Sequence, residues 1–100
     1  MTSRYFIMKE LCKLSVKELA QFSDVDTEQI DEKAEKAELA NLYEMLNSKD
    51  DVFEKISIQN LGGIACLGLN SKNEHLKAVA KLVIDSFYGW AAEHYKVDND

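Results

Sequence analysis

Proline is absent from the 100 residues, and glycine occurs four times, three of them between positions 62 and 68. No segment is therefore barred from helix by a missing amide donor or a ring clash, and little interrupts the backbone between Met1 and Gly62. Cysteine occurs twice, too few for a disulfide scaffold; Cys12 and Cys66 stand among apolar neighbours and read as reduced, buried thiols of a cytosolic protein. The two histidines, His75 and His94, are isolated in sequence, and no His-Cys set has metal-ligand spacing, so neither a metal nor a cofactor is expected. The longest apolar run, Gly62 to Leu69, falls far short of the roughly 20 residues that cross a bilayer as a helix. Lys9 and Glu10 interrupt the N-terminal apolar residues, so a secretory signal is not expected, and the expected location is cytoplasmic. Positive charge is scarce as well. Twelve Lys and Arg against 18 Asp and Glu leave a net charge of −6.

What remains is apolar and helical in its spacing. Hydrophobic residues make up 46% of the chain and charged ones 30%, a globular balance, and the length suits one domain spanning residues 1–100. The fold class is all-α, a compact bundle of about five helices. Capping boxes at Ser15 with Glu18 and at Ser71 with Glu74 mark two helix starts. A first helix is expected from about Ser3 to Leu14 and a second from Val16 to Phe22. A third starts near Thr27 and meets no breaker before Asn47, and a fourth contains Val52, Phe53 and Ile56. Gly62 to Leu69 reads equally as a loop or as a short helix of small residues. The last helix, Lys72 to about Tyr95, carries Leu76, Val79, Ala80, Val83, Ile84, Phe87, Trp90 and Ala91 at helical spacing.

Leu19, Ala20, Val25 and Ile30 fall where a helix-turn-helix buries side chains, and on these residues Val16 to about Lys33 resembles the helix-turn-helix of phage-repressor-type regulators. That resemblance implies a second helix placed against DNA. The charge points the other way, because phosphate contacts need Lys or Arg. From Asp24 to Glu54 there are eleven acidic residues and three lysines, a local net charge of −8. The turn also carries Asp24 where the family usually has glycine. Direct nucleic-acid binding is therefore not the expectation.

The same acids, Asp24, Asp26, Glu28, Glu32 and Glu35, have the spacing of a calcium loop. Gln29 stands where the loop needs glycine, so a solvated acidic face is the better reading. Phosphate loops and nucleophile elbows are missing, and catalysis is not expected.

Two surfaces remain as candidates for binding. One is the acidic face made by Glu28, Asp31, Glu32 and Glu35. The other is the aromatic last helix, where Tyr88, Trp90 and Tyr95 would anchor a protein partner or a homodimer. In size and composition the chain resembles compact acidic accessory and anti-defence proteins of phages and mobile elements. The expected function is a protein-protein interaction module, an inhibitor or adaptor docking on a larger, nucleic-acid-handling protein. The alternative is a transcriptional regulator on a degenerate helix-turn-helix.

Overall fold

The structure, a computed structural model, describes residues 4–95, which form six α-helices and one 3-10 turn with no strand among them. Helix α1 (Arg4–Leu11) buries Met8 and Leu11 and ends one turn before the expected Leu14. Helix α2 (Val16–Ala20) starts at the expected box. The Ser15 hydroxyl accepts from the Glu18 amide, and the Glu18 carboxylate accepts from the Ser15 amide, each at 3.1 Å. Hydrogen bonding of the carboxylate to Ser15, to its backbone amide foremost and its side chain second, holds the Glu18 carboxyl below its ordinary value.

The helix expected from Thr27 starts later. Thr27–Gln29 is a 3-10 turn capped by Asp26, Ile30 is extended, and helix α3 runs from Glu32 to Asn47. The break follows from Asp31, whose carboxylate accepts from the Ala34 amide at 2.8 Å and so fixes a new N-terminus. The connection between α2 and α3 therefore occupies residues 21–31, where a helix-turn-helix uses a turn of about three or four residues. The spacing of Leu19, Ala20, Val25 and Ile30 is present, but the two-helix unit it suggested is not formed.

Helix α4 (Lys49–Lys55) is short and clamped from a distance. The Arg4 guanidinium donates to the carbonyls of Glu54, of Phe53 at 3.4 Å and of Ile56 at 2.8 Å. A cation thus satisfies the exposed carbonyl end of α4 and opposes its dipole.

Gly62 to Leu69 is helical. It lies within helix α5 (Ile58–Asn70), which Ser57 caps by accepting from the Asn60 amide at 3.0 Å. Gly62 acts as a contact point and not as a stop. A Cβ there would stand 2.8 Å from the Phe22 carbonyl carbon and 2.9 Å from the Leu19 carbonyl oxygen, so only glycine lets the end of α2 lie on α5.

Helix α6 (Glu74–Tyr95) is the spine: α5 and α3 pack along it, and α4 and α1 lie against it. All eight residues expected on its inner face are buried, from Leu76 to Ala91. Its N-cap is Asn73 and not Ser71. The Asn73 side-chain oxygen accepts from the amides of His75 and Leu76, both at 3.0 Å, while the Ser71 hydroxyl accepts from Asn73 itself. The tail from Val97 onward lies outside the described residues. No helix among the described residues is long and apolar enough to cross a membrane.

Candidate functional site

The four acids expected to form one helix face are spread over a junction and largely engaged within the chain. Glu28 lies on the 3-10 turn and pairs with Lys72 at 3.3 Å, an exposed bridge of little energetic weight. Asp31 is the α3 cap. Glu32 reaches Lys36 at 3.9 Å in the first turns of α3. Glu35 is half-buried and accepts from the Asn73 side-chain amide at 2.9 Å. The acidic cluster thus joins the start of α3 to the start of α6, with Asn73 at its centre.

That arrangement makes Asn73→Ala informative, since it removes the α6 cap and the donor to Glu35 together. The expected loss is about 1–2 kcal/mol of stability. A urea titration would show it as a lower midpoint at unchanged slope; an unshifted midpoint would mean that water replaces both contacts.

The aromatic residues of α6 also face inward. Trp90 is 5% exposed, 5.8 Å from Phe53 and stacked on His94 at 4.3 Å, so it is a core residue and not a surface anchor. Tyr88 is half-buried and donates its hydroxyl to the Leu14 carbonyl at 2.8 Å. Burial, helped by the negative charge available at Cys12, Glu18 and Asp85, pushes the Tyr88 phenol up to about 12. Tyr95 meets Tyr5 of α1 edge-on at 5.2 Å. These rings close α1 onto α6. The large exposed hydrophobic side chain of α6 is Leu82, at 53%, and a dimer through this helix would have to use that face instead.

Both thiols are free, as expected, but only half-buried where full burial was expected. Cys12 packs against the core, and burial raises its thiol above the ordinary value despite its backbone hydrogen bond and the neighbouring lysines. His75 does find a partner, the Tyr43 hydroxyl at 2.9 Å, which ties α3 to α6 across the surface. Among the described residues no three His, Cys, Asp or Glu side chains converge as a metal site.

A concavity lies elsewhere, between α3, α4 and α5. Helices α3 and α5 both pack on α6 but barely meet each other, and α4 contributes Asp51, Val52 and Lys55 to the gap between them. The result is a groove of about 630 Å³. Met45, Ile56, Ile64 and Leu67, each at most 6% exposed, form its floor beside half-buried Val52, and Val25, 38% exposed, borders it from the loop before the 3-10 turn. Glu38 and Glu44 of α3 and Asp51 of α4 contribute three negative charges against the single positive charge of Lys55. Asn41, Gln59 and Asn60 add side-chain amides.

None of these residues stood out in the sequence as a site. On α3 the spacing of Glu38, Asn41 and Met45 is that of one helical stripe, and on α5 Asn60, Ile64 and Leu67 form another. Each stripe alone looks like an ordinary half-buried face. No protein-family model, curated protein or solved structure matches the chain.

Proposed function

We propose that this chain is a small acidic protein-protein interaction module, an inhibitor or adaptor that docks on a larger protein through the groove between α3 and α5. The observation that carries this reading is the groove itself: a concavity of about 630 Å³ floored by core side chains and bordered by the carboxylates of Glu38, Glu44 and Asp51. A concavity with an apolar floor and a few polar and charged groups at its rim is a usual setting for recognition. The chain's net charge of −6 selects a partner of opposite sign and speeds its approach. A nucleic-acid-handling protein suits that charge, because its own binding surface is basic.

The test is capture of partners by the tagged protein from its native cell lysate, with and without nuclease, read by mass spectrometry. One stoichiometric protein that survives nuclease, and that is lost with the E38K/E44K/D51K variant, is the expected result. Recovery only of nuclease-sensitive nucleic-acid complexes would overturn the module reading in favour of a regulator that contacts nucleic acid directly.

A further inference from the structure

The outer side of α6 carries a second helical pattern besides the one that faces the core. Ala78, Leu82, Asp85, Gly89 and Ala92 are all exposed and follow one another at alternating steps of four and three residues. That is the spacing of a seam along which another helix packs. Three of the five are Ala or Gly, which let a second backbone come close, and at Gly89 an added Cβ would have no heavy atom within 4 Å. Leu82 is the large apolar side chain of the seam, 53% exposed. Leu69 of α5, 36% exposed, lies beside Lys81 and Asp85 and widens the apolar margin.

Charge selects the occupant. Lys81 and Asp85 are both exposed, and among the described residues neither forms an ion pair. Parallel pairing of two copies would set Lys81 against Lys81 and Asp85 against Asp85. Antiparallel pairing with the two-fold axis at Leu82 does the reverse. At about 1.5 Å of rise per residue, Asp85 stands about 4.5 Å from the axis, and Lys81 of the reversed copy about 1.5 Å from it on the same side. An offset of about 3 Å along the helix is within the reach of a lysine side chain. Leu82 then meets Leu82 on the axis, with an opposite-charge pair to either side. A face complementary to itself in this way is what a closed two-fold dimer requires. The net charge of −6 is not concentrated at the seam: residues 24–54 hold −8, while α6 has three acids against two lysines. Repulsion beyond roughly 8 Å is screened at about 0.15 M salt.

We infer that α6 pairs with α6 of a second copy, antiparallel, through the seam centred on Leu82. Helix α6 contributes no residue to the groove, so pairing and docking use different surfaces. One apolar contact and two ion pairs make a small interface and a weak dimer, populated at roughly 100 μM and above.

The test is sedimentation equilibrium of the purified full chain from about 10 μM to about 1 mM at about 0.15 M salt. The average mass should rise with concentration from 11.4 kDa toward twice that value. Leu82→Glu, at an exposed position, should weaken association about tenfold or more and leave the circular dichroism spectrum unchanged. Lys81→Glu and Asp85→Lys shift the net charge from −6 by two in opposite directions, to −8 and −4. Each sets like charges across the axis, so each alone should weaken association about fivefold. In an equimolar mixture of the two, every new charge faces its opposite on the other copy. The mixture should associate within about twofold of the unaltered chain, a recovery that misfolding of either variant could not produce.

A mass fixed at 11.4 kDa up to the highest concentration would overturn the inference, as would undiminished association of Leu82→Glu. So would tighter association of Asp85→Lys, which net charge alone would give, or a mixture no tighter than its components. A chain that stays monomeric yet captures a nuclease-resistant protein would lose the dimer and keep the module reading.

Discussion

Phe53→Ala is expected to lower the free energy of unfolding by about 3–5 kcal/mol, the usual cost of truncating a fully buried phenylalanine. Phe53 is 0% exposed and meets Phe87 edge-on at 5.6 Å and Trp90 at 5.8 Å. It is also the buried residue of α4, a helix of seven residues that is too short to persist on its own propensity. Truncation would therefore leave a cavity beside two aromatic rings and remove the main hold of α4 on α6. The polar clamp cannot substitute, because Arg4 bonds carbonyls of the very turn that Phe53 positions. A domain of this length has a total stability of roughly 5–15 kcal/mol, so the variant would stand near the edge of folding. Phe53→Leu keeps most of the apolar volume and should retain the larger share of that stability. Urea denaturation followed by circular dichroism gives both values. A loss below about 1 kcal/mol for the alanine variant would mean that the site collapses freely and that α4 is held by other contacts.

What the sequence revealed and what it hid divide along a physical line. Helix α6 was legible because its apolar positions repeat over six turns and all face one core, and α2 was legible because Ser15 and Glu18 satisfy each other locally. Helix α5 was ambiguous because Gly62 and Gly63 have two uses, a stop or a close approach, and which one applies depends on α2, some forty residues earlier in the chain. The α6 cap was misplaced by two residues because Ser71 and Asn73 both have capping chemistry, and Glu35 from α3 completes the choice of Asn73. Trp90 looked like an anchor because it stands in a run of aromatic residues on one helix, and its burial depends on Phe53 of α4, a contact remote in sequence. The groove left the least trace. Its two walls come from stripes on α3 and α5 that are each unremarkable, and its apolar lining is defined by the failure of those helices to meet, which no local pattern records.

The glycines of α5 and α6 give the second large expected effect, through substitutions of opposite sign. Gly89 sits in the exposed interior of α6 with no heavy atom within 4 Å of an added Cβ, so Gly89→Ala should stabilise by about 0.5–1 kcal/mol through helix propensity alone. Gly62→Ala gains the same intrinsic term and should still lose about 1–2 kcal/mol net, because its Cβ would meet the backbone of Leu19 and Phe22 inside 3.0 Å. Gly62→Val adds branches against the same atoms and should lose about 3 kcal/mol or more. In a domain of this size each kilocalorie corresponds to a melting shift of about 4–8 °C, so the three variants separate cleanly in a thermal scan. The position also bears on binding. If α2 yields to the new side chain, the segment after it moves too, and with it Val25, whose Cγ2 lies 3.2 Å from where a Cβ on Gly63 would stand and which borders the groove. Gly62→Ala should therefore alter the chemical shifts of groove residues as well as the melting point, while Gly89→Ala should leave them alone. A destabilised Gly62→Ala protein with unchanged groove shifts would place the rearrangement within α2 and show that Val25 is held by α5 independently of it.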